Sequence, residues 1–403
     1  MLMNTTFFTS NRHKLIDALK GGSYVLSAYA KMQRGHDMAA TFEQEANFWW
    51  LTGIEAPDWQ LVVDGARHRS WLIMPEVDEI HQTFDGSLSA EQAKEISGVD
   101  EVLPRDQGLK LLRMLAKNHS VIHTLGDFPN AEYLDFVLNP APKKLYEQLL
   151  RIFGSVQDCR RDVAALRAIK QPEEIEALQG AINLTIDAFN AAKSELKSLK
   201  TEYAVEAEFT YYFRKHNAQH AYDPIVAVGE NACTLHYSDN TAKLKKRELL
   251  LMDIGARVGG YPADITRTWS IGEPTKRQRQ VHEAVVAAQR RIVELITPEL
   301  AVDVYQREVD EIMIDALLEL GLMNNRTDEK SYHKYFPHAV SHGIGVDVHD
   351  SLGRPKRLLP NMTLTVEPGI YIPEEGVGVR IEDDVLVTAS GNINMSQRLS
   401  TEL

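Results

Sequence analysis

Four carboxylates interrupt stretches of this chain that otherwise read as buried strand. Asp253 lies in the apolar run LLLMDIG, and Asp264 follows eleven residues later in ADITRTW, beyond a Gly259-Gly260 turn. Glu367 in LTVEPGIYI and Glu382 in VGVRIEDD repeat the theme fifteen residues apart, across a loop containing Gly376 and Gly378. Antiparallel hairpins can bring each pair onto one side of a sheet. A single Asp in an apolar strand usually has an Arg partner, but four demand more. One buried, uncompensated carboxylate costs several kcal/mol or is driven to its neutral form, and four together repel one another. Two divalent cations cancel four negative charges, and a neutral imidazole completes the set without adding charge.

The segment FPHAVSHGIGVDVHD offers His338, His342 and His349 for that role. The first two have the i, i+4 spacing of a zinc helix. The glutamate expected beside the first is missing, and Gly343 and Gly345 oppose a regular helix. We therefore expect a loop or strand in which one histidine is a ligand and the others face a substrate.

The elements that must hold these residues fall into two regions of a 403-residue chain, a length that implies about two domains. The first ~155 residues alternate in an α/β pattern. Strands are predicted at Tyr24–Ala30, Trp59–Val63 and Ser70–Met74, and helices at Ala90–Ile96 and Leu109–Lys117. NPAPKK at Asn139–Lys144 breaks the pattern, with a helical segment after it to about Phe153. The domain boundary is placed near 160, giving an N-terminal α/β domain over 1–160 and a second domain over 161–403. In the second, a helix starts at Gln171-Pro172-Glu173-Glu174, and amphipathic stretches run over Tyr203–His216, Lys276–Leu295 and about Val304–Leu320. Strand runs follow at Glu248–Ile254, Ile265–Ile271, Met362–Val366, Ile370–Ile372 and Val379–Val387.

Composition excludes several classes. The formal charge of −13 repels nucleic acid, and the one basic run, Lys243–Arg247, reads as a solvated loop face. No window nears the ~18 apolar residues that span a bilayer. Two cysteines imply no disulfide framework, and no secretory signal is evident, so the cytoplasm is the expected compartment.

The motifs HAVSHGIGVDVHD, VEPGIYI and VRIEDD, with the Asp253–Asp264 pair, resemble the proline-specific metallopeptidases, aminopeptidase P and prolidase. DPIVAVGENACTLHY and, in the N-terminal half, FWWLTGIEAPDWQLVV match as well, so the resemblance spans nearly the whole chain. It implies a smaller α/β domain followed by a catalytic domain of pita-bread type, a curved antiparallel sheet backed by helices. It also implies the ligand set: Asp253 on one metal, His342 and Glu367 on the other, Asp264 and Glu382 bridging both. Manganese is the expected ion, with cobalt or zinc able to replace it.

The resemblance further implies an exopeptidase that cleaves between an N-terminal residue and proline, using a hydroxide held by the two metals. Glu367 matches the acid–base, His236 and His349 the substrate-facing histidines, and His338 a position beside the proline pocket. Arg380 shares a strand face with Glu382 and is expected to orient a ligand carboxylate, while Asp383 and Asp384 beside Glu382 are expected to solvate a strand end. The loop between Glu367 and Glu382 is short compared with some prolidases, which bind a dipeptide's terminal carboxylate with a cation. Arg354 is the candidate for that cation here, with Lys356 and Arg357 behind it. The expected partners are peptides with proline second and another copy of the chain in a homodimer. A non-catalytic binding protein of this fold, or an aminopeptidase indifferent to proline, are the alternatives. All five ligand positions being intact favours catalysis.

Overall fold

The computed structural model describes residues 3–126 and 136–403, and the chain divides into two compact units at Leu166/Arg167. The first holds a six-stranded mixed sheet in the order Glu101–Leu103, Arg69–Ile73, Gln60–Asp64, Tyr24–Ser27, Val121–Thr124, Ser155–Asp158. Strand Tyr24–Ser27 runs antiparallel to Gln60–Asp64 and parallel to Val121–Thr124. Alternating apolar residues put Val25, Val62, Trp71 and Ile122 in one core with Leu111, Leu112 and Leu115 of helix Arg105–Asn118 and Leu145 and Leu149 of helix Ala141–Leu150. Arg12 is buried with its guanidinium on the carbonyls of Leu51, Ser97 and Gly98, where two helices end and their dipoles favour a cation.

The second unit builds its sheets only from antiparallel pairs. Leu249–Ile254 lies between Ile225–Val228 and Ile265–Ser270. Asp383–Val387 lies between Thr363–Val366 and Asn392–Asn394, and Gly369–Ile372 pairs with Val377–Arg380. Helices Pro172–Glu195, Glu202–Lys215, Lys276–Leu295 and Val302–Glu319 back these strands. The first and third of these open with capping boxes, Gln171 with Glu174 and Thr275 with Gln278, which satisfy otherwise orphaned N–H groups. Val281, Val285, Ala288 and Ile292 line one face of Lys276–Leu295 and are fully buried against Val366, Ile370, Val379 and Val385 of the strands. Truncating any of the large ones to Ala would cost about 2–5 kcal/mol.

One predicted strand is two. Val379–Val387 breaks after Arg380, and its halves join different sheets. The Ile381 N–H turns to the Pro368 carbonyl at 3.3 Å and the Glu382 N–H to the Thr266 carbonyl at 3.0 Å. The break carries Glu382 against strand Ile265–Ser270, at Thr266, the residue that faces Asp253 across the ladder.

Candidate metal centre

Each acidic residue sits where a strand ends or bends. Asp253 is on the central strand opposite Thr266, so Asp264 lies just outside the paired ladder. Between them the chain leaves for a small second hairpin, Ala256–Val258 with Tyr261–Pro262, which turns at Gly259-Gly260. Gly255 makes that departure possible, because a Cβ there would stand 1.9 Å from the Ala263 carbonyl oxygen. Glu367 directly follows strand Thr363–Val366, its N–H on the Val340 carbonyl at 2.9 Å. His342 is in a loop, not a helix. It is tied to that strand by its N–H on Thr365 Oγ1 at 3.1 Å and its carbonyl accepting from the Thr365 N–H at 2.9 Å.

These placements bring Asp253, Asp264, His342, Glu367 and Glu382 into one cavity of about 260 Å³, with His236, His338, His349 and Arg380 also on its wall. Three overlapping sets have ligand atoms within 4.8 Å of one another: Asp253, Asp264 and Glu382; His342, Glu367 and Glu382; and Asp264, His342 and His349. His342 Nε2 lies 3.4 Å from both Asp264 Oδ2 and Glu367 Oε1. Its Nδ1 faces the Gly343 carbonyl at 3.0 Å, which fixes the tautomer and leaves Nε2 for a metal.

The electrostatics fit a cation site. Burial, then the charges of Asp264 and Glu367, pushes the Glu382 carboxyl well up. Burial raises Asp253 too, although Arg380 opposes it. Glu367 is pushed up to about 7 by burial, against the pull of His342 and Arg380. Burial works against a charge on His342, yet its hydrogen bond to Asp264 and the charges of Asp264 and Glu367 hold it up to about 9. Without metal, the cluster is therefore held together by protons. Metal ions would replace them.

Arg380 donates from Nη2 to Asp253 Oδ2 at 2.6 Å. His338 bonds Tyr371 Oη through Nε2 at 2.8 Å, and burial, then Arg380, lowers its pKa to about 4. His349 lies against His342 with ring centroids 4.2 Å apart, and burial and then His342 push its pKa down. Arg354 does not join this group. It is exposed in the loop after Ser351 at φ 54° and does not line the cavity. Lys356 is likewise exposed, and Arg357 is spent on the Glu299 carbonyl at 2.8 Å.

Two acids passed over in the sequence correct a second expectation. Asp383 and Asp384 do not solvate a strand end, because both are buried. Asp383 accepts from Arg267, Gln289 and Asn394 at 2.6–2.7 Å, and Arg267 Nη1 also grips the Glu382 carbonyl at 2.7 Å. Asp384 Oδ2 accepts the Asp264 N–H at 3.1 Å. Tyr222 belongs to the same supporting layer. Its hydroxyl is 2.5 Å from Asp253 Oδ1 and 2.7 Å from Asp264 Oδ1. Thr266 Oγ1 donates to Glu382 at 2.6 Å and Thr365 Oγ1 to Glu367 at 3.1 Å. The DPIVAV context next to Tyr222 and the alternating threonines in both strands were the available signals.

Residues 176–389 match the family model for metallopeptidase family M24. The chain belongs to that family. Residues 8–123 match the aminopeptidase P N-terminal domain, which places the chain in the aminopeptidase P group of M24. Among curated relatives, the Xaa-Pro aminopeptidase of Escherichia coli is 32% identical, over 96% of this chain and 94% of that one. Human Xaa-Pro aminopeptidase 3 is 33% identical, over 91% of this chain and 76% of that one. Among solved structures, E. coli aminopeptidase P with the inhibitor Pro-Leu superposes with a TM-score of 0.86 at 28% identity, covering 100% of this chain and 97% of that one. A zinc-substituted form of the same enzyme with product gives 0.86 at 29% identity, with the same coverage. The second unit of this M24 member is thus a pita-bread fold, and the chain binds divalent metal.

Proposed function

We propose that this chain is an Xaa-Pro aminopeptidase that removes the first residue from peptides with proline second, using two divalent metal ions, manganese by preference. The observation that carries this reading is the meeting of four carboxylates and the Nε2 of His342 in one cavity, with a second layer of donors aimed at the carboxylates. The relatives named above are Xaa-Pro aminopeptidases.

Asp253 would hold the first ion, His342 and Glu367 the second, and Asp264 and Glu382 both. Ions held there would supply Lewis-acid chemistry, acidifying a water and polarising the scissile carbonyl. The oxygen-rich donor set with one imidazole suits a harder ion such as manganese. Glu367, on the cavity wall beside His342, takes the attacking water's proton and returns it to the leaving prolyl nitrogen. That nitrogen has no N–H before cleavage, so a site that grips the free amino end suits it better than one needing an amide donor. His236 and His349 line the cavity where an N–H can meet the developing oxyanion, and His338 lies beside the place for proline.

Arg380 is the only Lys or Arg among the described lining residues, and it is engaged by Asp253, Thr266 and Tyr371. A dipeptide's terminal carboxylate has no cation to meet there, which favours longer peptides over Xaa-Pro dipeptides. Two free cysteines support cytoplasmic residence, and the N-terminal domain of this group supports a homodimer. Hydrolysis of Xaa-Pro and Xaa-Pro-Yaa peptides with manganese tests the substrate reading. Cleavage of the tripeptide at the Xaa-Pro bond is expected, and cleavage of the dipeptide alone would overturn it.

A further inference from the structure

We propose that Glu202 is the positioning residue for His236, an inference that rests on the role proposed above for that histidine. His236 is exposed on the cavity wall and makes no side-chain hydrogen bond among the described residues, so its reach into the cavity depends on where the backbone places its Cβ. That backbone belongs to an irregular segment, residues 229–242, that follows strand Ile225–Val228 and contains one short 3-10 turn over Gly229–Cys233. A segment of this kind has no ladder to hold it, and its N–H groups need other partners.

Glu202, the first residue of helix Glu202–Lys215, supplies them from a fully buried position. Its Oε1 accepts the Val228 N–H at 2.8 Å, where the strand ends, and Asn231 Nδ2 at 3.0 Å, where the segment begins. Its Oε2 accepts the Tyr237 hydroxyl at 2.9 Å, one residue past His236, and the Ala242 N–H at 2.7 Å, where the segment ends. The Glu202 N–H returns a bond to the Ala242 carbonyl at 3.0 Å. One side chain thus pins the entrance, the exit and the neighbour of His236. Only a carboxylate can do so, because four donors converge on two oxygens and an amide nitrogen in place of either would face N–H or O–H groups with a hydrogen of its own. On the far side, Gly378 lets the segment press against strand Val377–Arg380, where a Cβ would meet the Ala232 carbonyl oxygen at 2.4 Å. Glu202 touches none of the five proposed ligands, which separates its effect from metal binding.

The test is a double-mutant cycle on the manganese-loaded protein with an Xaa-Pro-Yaa peptide. Glu202→Gln should lower kcat on the order of 10–100-fold, as small displacements of a reacting group do, while metal content and KM stay near wild type. His236→Ala should also lower kcat, and the double variant should match His236→Ala within about twofold. If Glu202→Gln costs the same factor in both backgrounds, or costs nothing in either, the inference is overturned while the role of His236 stands. If His236→Ala turns over like wild type, that role fails first and the inference with it. Should Glu202→Gln not fold, Tyr237→Phe removes a single donor. Its smaller loss of kcat should vanish in the His236→Ala background, and a loss that persists there overturns the inference.

Discussion

Arg380 and Asp253, 127 residues apart in sequence, meet through Nη2 and Oδ2 at 2.6 Å inside the protein. The same guanidinium donates to Tyr371 Oη at 3.0 Å and Thr266 Oγ1 at 3.1 Å, so all its nitrogens are directed. Arg380→Ala is expected to weaken manganese binding and lower turnover by about 10–100-fold, as loss of a ligand's supporting partner does. Arg380→Lys should fall between, since an ammonium keeps the charge but loses the fork. Full metal content with full turnover in the alanine variant would show that Asp253 needs no such support.

Tyr222 reaches both Asp253 and Asp264 with a hydroxyl that has one hydrogen. Both contacts can be hydrogen bonds only if one aspartate carries a proton, which agrees with the raised pKa of Asp253. Tyr222→Phe should therefore lower metal affinity by about tenfold or more without disturbing the fold. Calorimetric titration with manganese measures it, and an unchanged affinity would assign the tyrosine to packing alone.

The pH dependence follows from the same protons. In the metal-free protein His342 is held up to about 9 and Glu367 up to about 7. A folded-state pKa above the unfolded one gives stability that is present below the unfolded value and lost as pH rises through the folded one. His220, His282 and His338, lowered to about 4 by burial, act in the opposite sense only below about 6.5. Between about 6.5 and 9 the metal-free protein should therefore lose melting temperature as pH rises. Manganese should restore more of it at the higher pH, with protons released on binding. Heats of binding that do not vary with buffer ionisation enthalpy would contradict this.

Asp383 and Arg267 form a buried ion pair at 2.6 Å, each with further partners. Asp383→Ala leaves the guanidinium uncompensated and should cost about 3–5 kcal/mol in urea unfolding. A cost under about 1 kcal/mol would mean that the Leu399, Ser400 and Glu382 carbonyls satisfy Arg267 unaided.

The four cavity carboxylates stand out in the sequence because each interrupts a local apolar pattern, and the helix over Lys276–Leu295 because its period and capping box are local as well. What stayed hidden depends on partners far away in sequence. Asp383 looked like a solvated strand end beside Glu382, yet Arg267 and Gln289 meet it across 116 and 94 residues. The interruption at Ile381-Glu382 was invisible for a similar reason: the run VGVRIEDDVLVT has no Gly or Pro at that point, and the N–H groups freed there are taken up by Pro368 and Thr266. Arg354 has the charge and lies close to His349 in sequence, but it is exposed and does not line the cavity.

Metal stoichiometry tests the central claim most directly. Protein stripped with chelator, reloaded with manganese and dialysed should hold two ions per chain by elemental analysis. Glu382→Gln, changing a proposed bridge between them, should hold fewer and lose peptidase activity in step. A wild-type chain that binds no metal, or that cleaves Xaa-Pro peptides equally well with and without it, would contradict the account.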